Sequence, residues 1–175
     1  MLLVKEGHLS ELTELFERYH VKLFNFFRRL TLDKATSEDL TQNLFYRVIK
    51  YRQSYKPEQG TFQSWIYRMA RNVHSDFARQ SKRVPDRPGN RESNEEEEGE
   101  DLALQEDGFT EDHYIRLERA MARLEPDQRE VITLKRFQGL KYEEIAMIRE
   151  LTVPAIKVQV HRALKKLKEL YFKEL

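Results

Sequence analysis

Outside one central stretch, apolar residues recur every three or four positions along this chain, the spacing that lines one face of an α-helix. Glycine and proline are few and fall at the edges of these periodic segments, and no strand-like alternation stands out, so the pattern predicts an all-α protein. A first helix is expected from about Leu9 to Leu30, burying Leu12, Leu15, Phe16, Tyr19, Leu23, Phe26 and Phe27. A second should start near Thr36 or Ser37, either of which can cap it, and run to about Ser54 with Leu40, Leu44, Val48 and Tyr51 inward. That leaves Asp39, Gln42, Asn43, Tyr46, Arg47 and Lys50 on other faces. Pro57 and Gly60 bracket a loop, after which Phe62, Trp65, Ile66, Met69, Val73 and Phe77 define a third helix over Thr61–Arg83. Its opposite face carries Arg68, Arg71, Asn72, Ser75 and Arg79, a set suited to phosphates and base edges.

Four shorter helices are predicted beyond the central stretch, at about Glu111–Leu124, Asp127–Phe137, Lys141–Arg149 and Thr152–Tyr171. Pro126 reads as a start signal and Gly139 as a C-terminal cap. The run Tyr142-Glu143-Glu144-Ile145-Ala146, a tight turn and a basic helix have the shape of a helix-turn-helix, with Ala146 small enough for a close crossing. In the last helix Ile156, Val160, Ala163, Leu164 and Leu167 form the packing stripe, Thr152 can cap, and Pro154 sits where a first-turn proline is tolerated.

Charge changes the picture more than composition does. The formal net charge is only +1, yet the third helix and its continuation are basic (Arg68, Arg71, Arg79, Lys82, Arg83, Arg87, Arg91), as is the last helix (Lys157, Arg162, Lys165, Lys166, Lys168, Lys173). Between them lie Glu92, the run Glu95 to Glu98, Glu100, Asp101, Glu106, Asp107 and Glu111. This divides the 175 residues into two small helical domains, 1–83 and 112–175, joined by a flexible acidic linker, 84–111. Without cysteine there is neither a disulfide framework nor a thiolate metal site, and the five histidines show no close ligand spacing. No nucleophile motif or phosphate loop is present, so an enzyme, a cofactor and a small-molecule substrate are not expected. The first ten residues lack a signal-peptide core and no segment approaches membrane-spanning length, which points to a soluble cytoplasmic protein without membrane insertion.

Two separated segments together resemble bacterial sigma-70-type RNA polymerase sigma factors of the small extracytoplasmic-function (ECF) class. Glu38-Asp39-Leu40-Thr41-Gln42-Asn43-Leu44-Phe45, followed by Gly60-Thr61-Phe62-Gln63-Ser64-Trp65-Ile66-Tyr67-Arg68-Met69-Ala70-Arg71-Asn72, is similar to sigma region 2. Arg129-Glu130-Val131, Gly139 to Ala146 and His161-Arg162-Ala163-Leu164 are similar to region 4.

The resemblance implies that Asp39, Gln42 and Phe45 dock on the clamp coiled coil of the polymerase β′ subunit, although Phe45 reads equally well as a core ring. It implies that Lys56, Phe62, Arg68, Arg71, Asn72 and Arg79 serve the minus-10 element, the loop Lys56–Phe62 capturing an unstacked base. Trp65 falls on the apolar stripe and is expected in the core. Ala155, Lys157, Val158, Gln159 and Arg162 would read the minus-35 element, with Lys165 and Lys166 on its backbone. The implied partners are RNA polymerase core (β′ clamp and β subunits), promoter DNA and an anti-sigma factor. The chain departs from the family where Pro154-Ala155-Ile156-Lys157-Val158-Gln159 replaces the usual Gly-Thr-Val-Lys-Ser-Arg, and where Arg149-Glu150-Leu151 lacks the usual turn glycine.

A tether of about 27 residues could extend on the order of 90 Å and would average roughly 29 Å, so it cannot set the spacing of two DNA elements by itself. A rigid third body is expected to do so. The competing reading is a stand-alone helix-turn-helix regulator, which has no need of the Asp39 to Asn72 block.

Overall fold

A computed structural model describes residues 1–8, 10–83 and 111–173, the side chains of residues 82 and 83 excepted. The acidic linker expected over 84–111 falls outside these residues apart from Glu111, which opens a helix. Every regular element among the described residues is helical: α1 (Leu2–Lys5), α2 (Glu11–Thr31), α3 (Lys34–Lys50), α4 (Phe62–Arg83), α5 (Glu111–Ala122), α6 (Pro126–Ile132), α7 (Tyr142–Arg149) and α8 (Val153–Phe172).

The corner between α2 and α3 is tighter than the sequence suggests. Leu32 takes a left-handed conformation, φ 60°, and Asp33 caps α3 by accepting from the Thr36 N–H at 2.7 Å. This cap holds the Asp33 carboxyl below its ordinary pKa, chiefly through hydrogen bonding from Thr36. Thr36 and Ser37 therefore lie inside the helix, and Ser37, fully buried, donates to the Asp33 carbonyl instead. α3 also stops earlier than expected, at Lys50, and short tight turns at Arg52–Ser54 and Pro57–Gln59 lead into α4.

Leu23, Phe26, Phe27, Leu40, Leu44, Val48, Ile66, Tyr67, Ala70 and Val73 form the core of the first half. Two expected core residues are instead on the surface: Phe16 is 46% exposed and Tyr51 47%. Conversely Tyr67 is fully buried, although the periodicity of α4 does not assign it inward.

In the second half α8 packs against α5, α6 and α7. α6 continues into a wider turn over Thr133–Phe137, where the Gln138 N–H reaches the Thr133 carbonyl five residues back at 3.0 Å. Gly139 then has φ 67°, a left-handed conformation that suits glycine at the end of a helix. Thr152 caps α8 as expected, accepting from the Ala155 N–H at 3.4 Å. The turn between α7 and α8 is left-handed at Glu150, φ 56°, where a glycine would be unstrained.

The two halves are not held apart. Their buried apolar side chains form one continuous cluster, and α4 packs on α7 while α2 meets α6 and its continuation.

Candidate nucleic-acid and polymerase interfaces

Three surfaces carry the residues singled out by sequence. On α3, Asp39 and Gln42 are exposed, and with Asn43, Tyr46 and Lys50 they follow the i, i+3, i+4 rule that puts them on one stripe. Phe45 is not on it: only 8% exposed, its ring packs against Phe16 at 4.8 Å, so it supports the surface from beneath. The aromatic presented outward is Tyr46, 64% exposed, with the Lys50 ammonium 5.9 Å from its ring. A large exposed side chain beside a carboxylate and two amides has the composition of a protein-docking surface.

The second surface is the loop before α4 and the outward side of α4. Lys56 is exposed, whereas Phe62 is half-buried in a cluster with Tyr19 (5.3 Å), Tyr55 (5.8 Å) and Trp65 (5.7 Å). Trp65 thus packs as the apolar stripe predicts. Gly60 turns the loop at φ 146°, and a Cβ there would stand 3.0 Å from the Ser64 hydroxyl and 3.6 Å from the end of Met147. Asn72 is exposed, and Arg79 pairs with Asp76, whose carboxyl is held below its usual pKa first by the hydrogen bond from Arg47, 3.0 Å away.

Arg68 stays exposed and Arg71 is half-buried, and both are engaged by the C-terminal half. Arg68 donates to the Met147 carbonyl at 3.0 Å, and the Arg71 Nε lies 3.0 Å from Glu130. Around them Thr61 donates to Glu144 at 2.8 Å, Gln63 donates to the Gln138 carbonyl at 3.4 Å, and the Tyr67 hydroxyl bonds the Gln138 side chain. Burial raises the Tyr67 pKa, so the phenol stays a donor. The C-terminal half therefore lies over part of the face that sequence assigns to DNA.

The third surface is α8. Lys157, Val158, Arg162, Lys165 and Lys166 are exposed along it, while Ala155 is half-buried near its start. Gln159 turns toward α6, lining a shallow depression with Asp127, Gln128, Val131 and Arg162, and its side-chain oxygen is buried without a hydrogen bond. Reading a base with Gln159 requires that side chain to swing outward. Lys157 sits 5.7 Å from the Tyr142 ring, tying α8 to α7 by a cation–π contact.

Sequence reasoning missed the residues that join the halves. Arg129 donates to the carbonyls of Met121, Ala122 and Leu124 and, across the halves, to Leu30 at 3.2 Å. Arg29 lies 4.0 Å over the Phe137 ring, and burial brings its pKa down to about 10. The signal for Arg129 was visible only as a charged residue two positions before the inward pair Val131 and Ile132. No group of three or more His, Asp or Glu placed to hold a metal occurs among the described residues, and no described helix is long and apolar enough to cross a membrane.

Comparison with known proteins matches residues 15–84 to the family "Sigma-70 region 2" and residues 114–167 to "Sigma-70, region 4". The chain is 31% identical over 171 residues to the RNA polymerase sigma factor CarQ of Myxococcus xanthus, covering 95% of this chain and 92% of that one. It is 28% identical to the ECF RNA polymerase sigma factor SigE of Mycolicibacterium smegmatis, covering 89% of this chain but only 60% of that longer protein. Its fold is similar to that of the sigma factor RpoE of Bartonella quintana, solved in complex with the anti-sigma factor NepR. The TM-score is 0.70 at 24% identity, over 92% of this chain and 96% of that one.

Proposed function

We propose, from the premise that this chain belongs to the ECF-type sigma-70 family of RNA polymerase sigma factors, a division of labour among its three surfaces in promoter-specific transcription initiation. The α3 stripe of Asp39, Gln42 and Tyr46 docks on the polymerase core, on the β′ clamp, with Phe45 shaping it from below. The loop at Lys56–Phe62 and the α4 face with Arg68, Arg71, Asn72 and Arg79 engage the minus-10 element. Bases unstack there, and holding one in a pocket shifts duplex toward the open state without any bond being made or broken. Ala155, Lys157, Val158, Gln159 and Arg162 on α8 read the minus-35 element, with Lys165 and Lys166 on its phosphates.

The observation that carries this reading is the pairing of a region 2 half with a region 4 half over most of one chain. A regulator that acts without polymerase needs only the second. Residues 1–83 and 112–175 are accordingly the two functional modules, with 84–111 between them. The family is not enzymatic, and the work is done in the cytoplasm, where the polymerase is. An anti-sigma protein restrains the factor, a role supported by the RpoE–NepR complex that shares this fold.

Purified core polymerase with this chain on genomic DNA fragments, with start sites mapped, tests the reading: discrete starts that depend on the chain are expected, and operator binding unaffected by core would refute it. For the α3 stripe, Tyr46→Ala should weaken core binding about tenfold, the usual effect of truncating an exposed aromatic anchor. Unchanged affinity on titration with labelled chain would remove Tyr46 from the interface.

A further inference from the structure

We infer that α1 is a clasp for the minus-10 loop, with Lys5 as its positioning residue: the Lys5 ammonium holds the Tyr55 carbonyl and so fixes where the Lys56–Phe62 loop begins. The inference rests on the reading of that loop given above and adds to it what keeps the loop in shape for a base.

α1 lies ahead of the stretch matched to Sigma-70 region 2, residues 15–84. With only four residues it is too short to persist as an isolated helix, so contacts with the rest of the fold must hold it. Val4 is fully buried and Met1 packs against the core cluster, while Leu2 and Leu3 stay exposed. α1 thereby rests on α2 and on the turn Arg52–Ser54.

Two hydrogen bonds of opposite direction join α1 to this turn and to the residue after it. The Lys5 ammonium donates to the Tyr55 carbonyl at 3.0 Å, and the Gln53 side-chain amide donates to the Lys5 carbonyl at 2.7 Å. Gln53 fixes the main chain of Lys5, and the side chain of Lys5 fixes Tyr55. Being charged and part-buried, the bond to Tyr55 is stronger than an ordinary one at the surface.

The Tyr55 carbonyl needs such a donor. Tyr55 and Lys56 are both extended, with ψ 125° and φ −128° on either side of the peptide between them, so this carbonyl is not aligned with the N–H groups of a helix. The Tyr55 ring is only 8% exposed and packs edge-on against Phe62 at 5.8 Å and Trp65 at 5.7 Å. A ring seated on α4 still leaves the peptide plane that follows it free to rotate. Lys5 removes that freedom. The next residue is the exposed Lys56, and the turn Pro57–Gln59 beyond it leads to Phe62, so a misdirected peptide at Tyr55 would shift Lys56 and the turn relative to α4. A loop already in shape loses less conformational freedom when a base enters it.

The test uses the full-length chain with core polymerase on a promoter found by start-site mapping. Permanganate reactivity of unpaired thymines reads opening, and titration of labelled chain reads core affinity. Abasic substitution at each non-template minus-10 position in turn first identifies the captured base with the parent chain. Lys5→Ala should then lower the opening equilibrium about tenfold with core affinity unchanged, as when the competent loop falls from most of the population to about a tenth. Lys5→Arg, which can still donate to a carbonyl, should restore most of the loss, and Gln53→Ala should act in the same direction as Lys5→Ala. On the template abasic at the captured position the parent and Lys5→Ala should open equally, because the shaped loop has no base to hold. Opening by Lys5→Ala at the parental level, a core affinity that falls with it, or a defect that persists on the abasic template, as the loss of a phosphate contact would, overturns the clasp. If no abasic position lowers opening by the parent chain, the base-capture reading of the loop fails instead, and this inference with it.

Discussion

Replacing Arg129 with alanine strikes a side chain that makes four hydrogen bonds, three within its own half and one across to the other. Its guanidinium donates to four carbonyls, Met121 at 3.0 Å, Ala122 at 2.6 Å, Leu124 at 3.0 Å and Leu30 at 3.2 Å. Met121 and Ala122 close α5, and Leu30 lies in the last turn of α2, so these are acceptors that a helix end leaves without an intrahelical partner. Hydrogen bonds from a charged donor contribute about 1.5–3 kcal/mol each. Four do not sum, because they share one group and water can reach part of a half-exposed site, which brings the expected loss to roughly 3–5 kcal/mol. Against a total stability of about 5–15 kcal/mol, that is a large fraction. Burial lowers the Arg129 pKa, but an arginine remains charged at neutral pH, so the whole effect should be present at pH 7. Arg129→Lys retains the charge without the planar fork and should recover only part of the loss. Urea unfolding followed by circular dichroism measures both. A change below about 1 kcal/mol for the alanine variant, smaller than one such hydrogen bond, would refute the idea that these four bonds fasten α5 and α2.

The left-handed Glu150 gives a test of opposite sign. An L-residue in that conformation costs about 1–2 kcal/mol and glycine gives back about 0.5–1 kcal/mol in unfolded-chain entropy, so Glu150→Gly should raise stability by roughly 0.5–1 kcal/mol in the same urea assay. A loss of stability would show that Glu150 has compensating contacts. His74 on α4 has its pKa lowered, first by burial and then by the Arg129 charge. Its neutral form is favoured in the folded state, so its contribution is present above the unfolded value of about 6.5 and is lost as pH falls through the lower folded value. Thermal melts from pH 7.5 to pH 5 should therefore fall less steeply for His74→Gln than for the parent, and parallel curves would count against this.

The sequence by itself determined the helical class, the placement of α2 to α8 to within a few residues, the helix-turn-helix and the paired motifs that mark the family. Each is written in local spacing: apolar residues at three and four, caps such as Thr152, and a proline at the start of α6. Even the strained turn at Glu150 was visible as a missing glycine. The tertiary structure alone decided what each polar face meets. Local periodicity records only that one side of α4 is apolar, so it left Tyr67 unassigned and did not say what Arg68 and Arg71 meet. Tyr67 is fully buried, and the two arginines are engaged, because α6 and α7 cover that side from positions more than fifty residues away in the chain. Phe16 came out and Phe45 went in for the same reason. Which aromatic on a shared boundary is covered depends on how two helices cross, and a crossing is fixed by side chains from both rather than by the spacing within either.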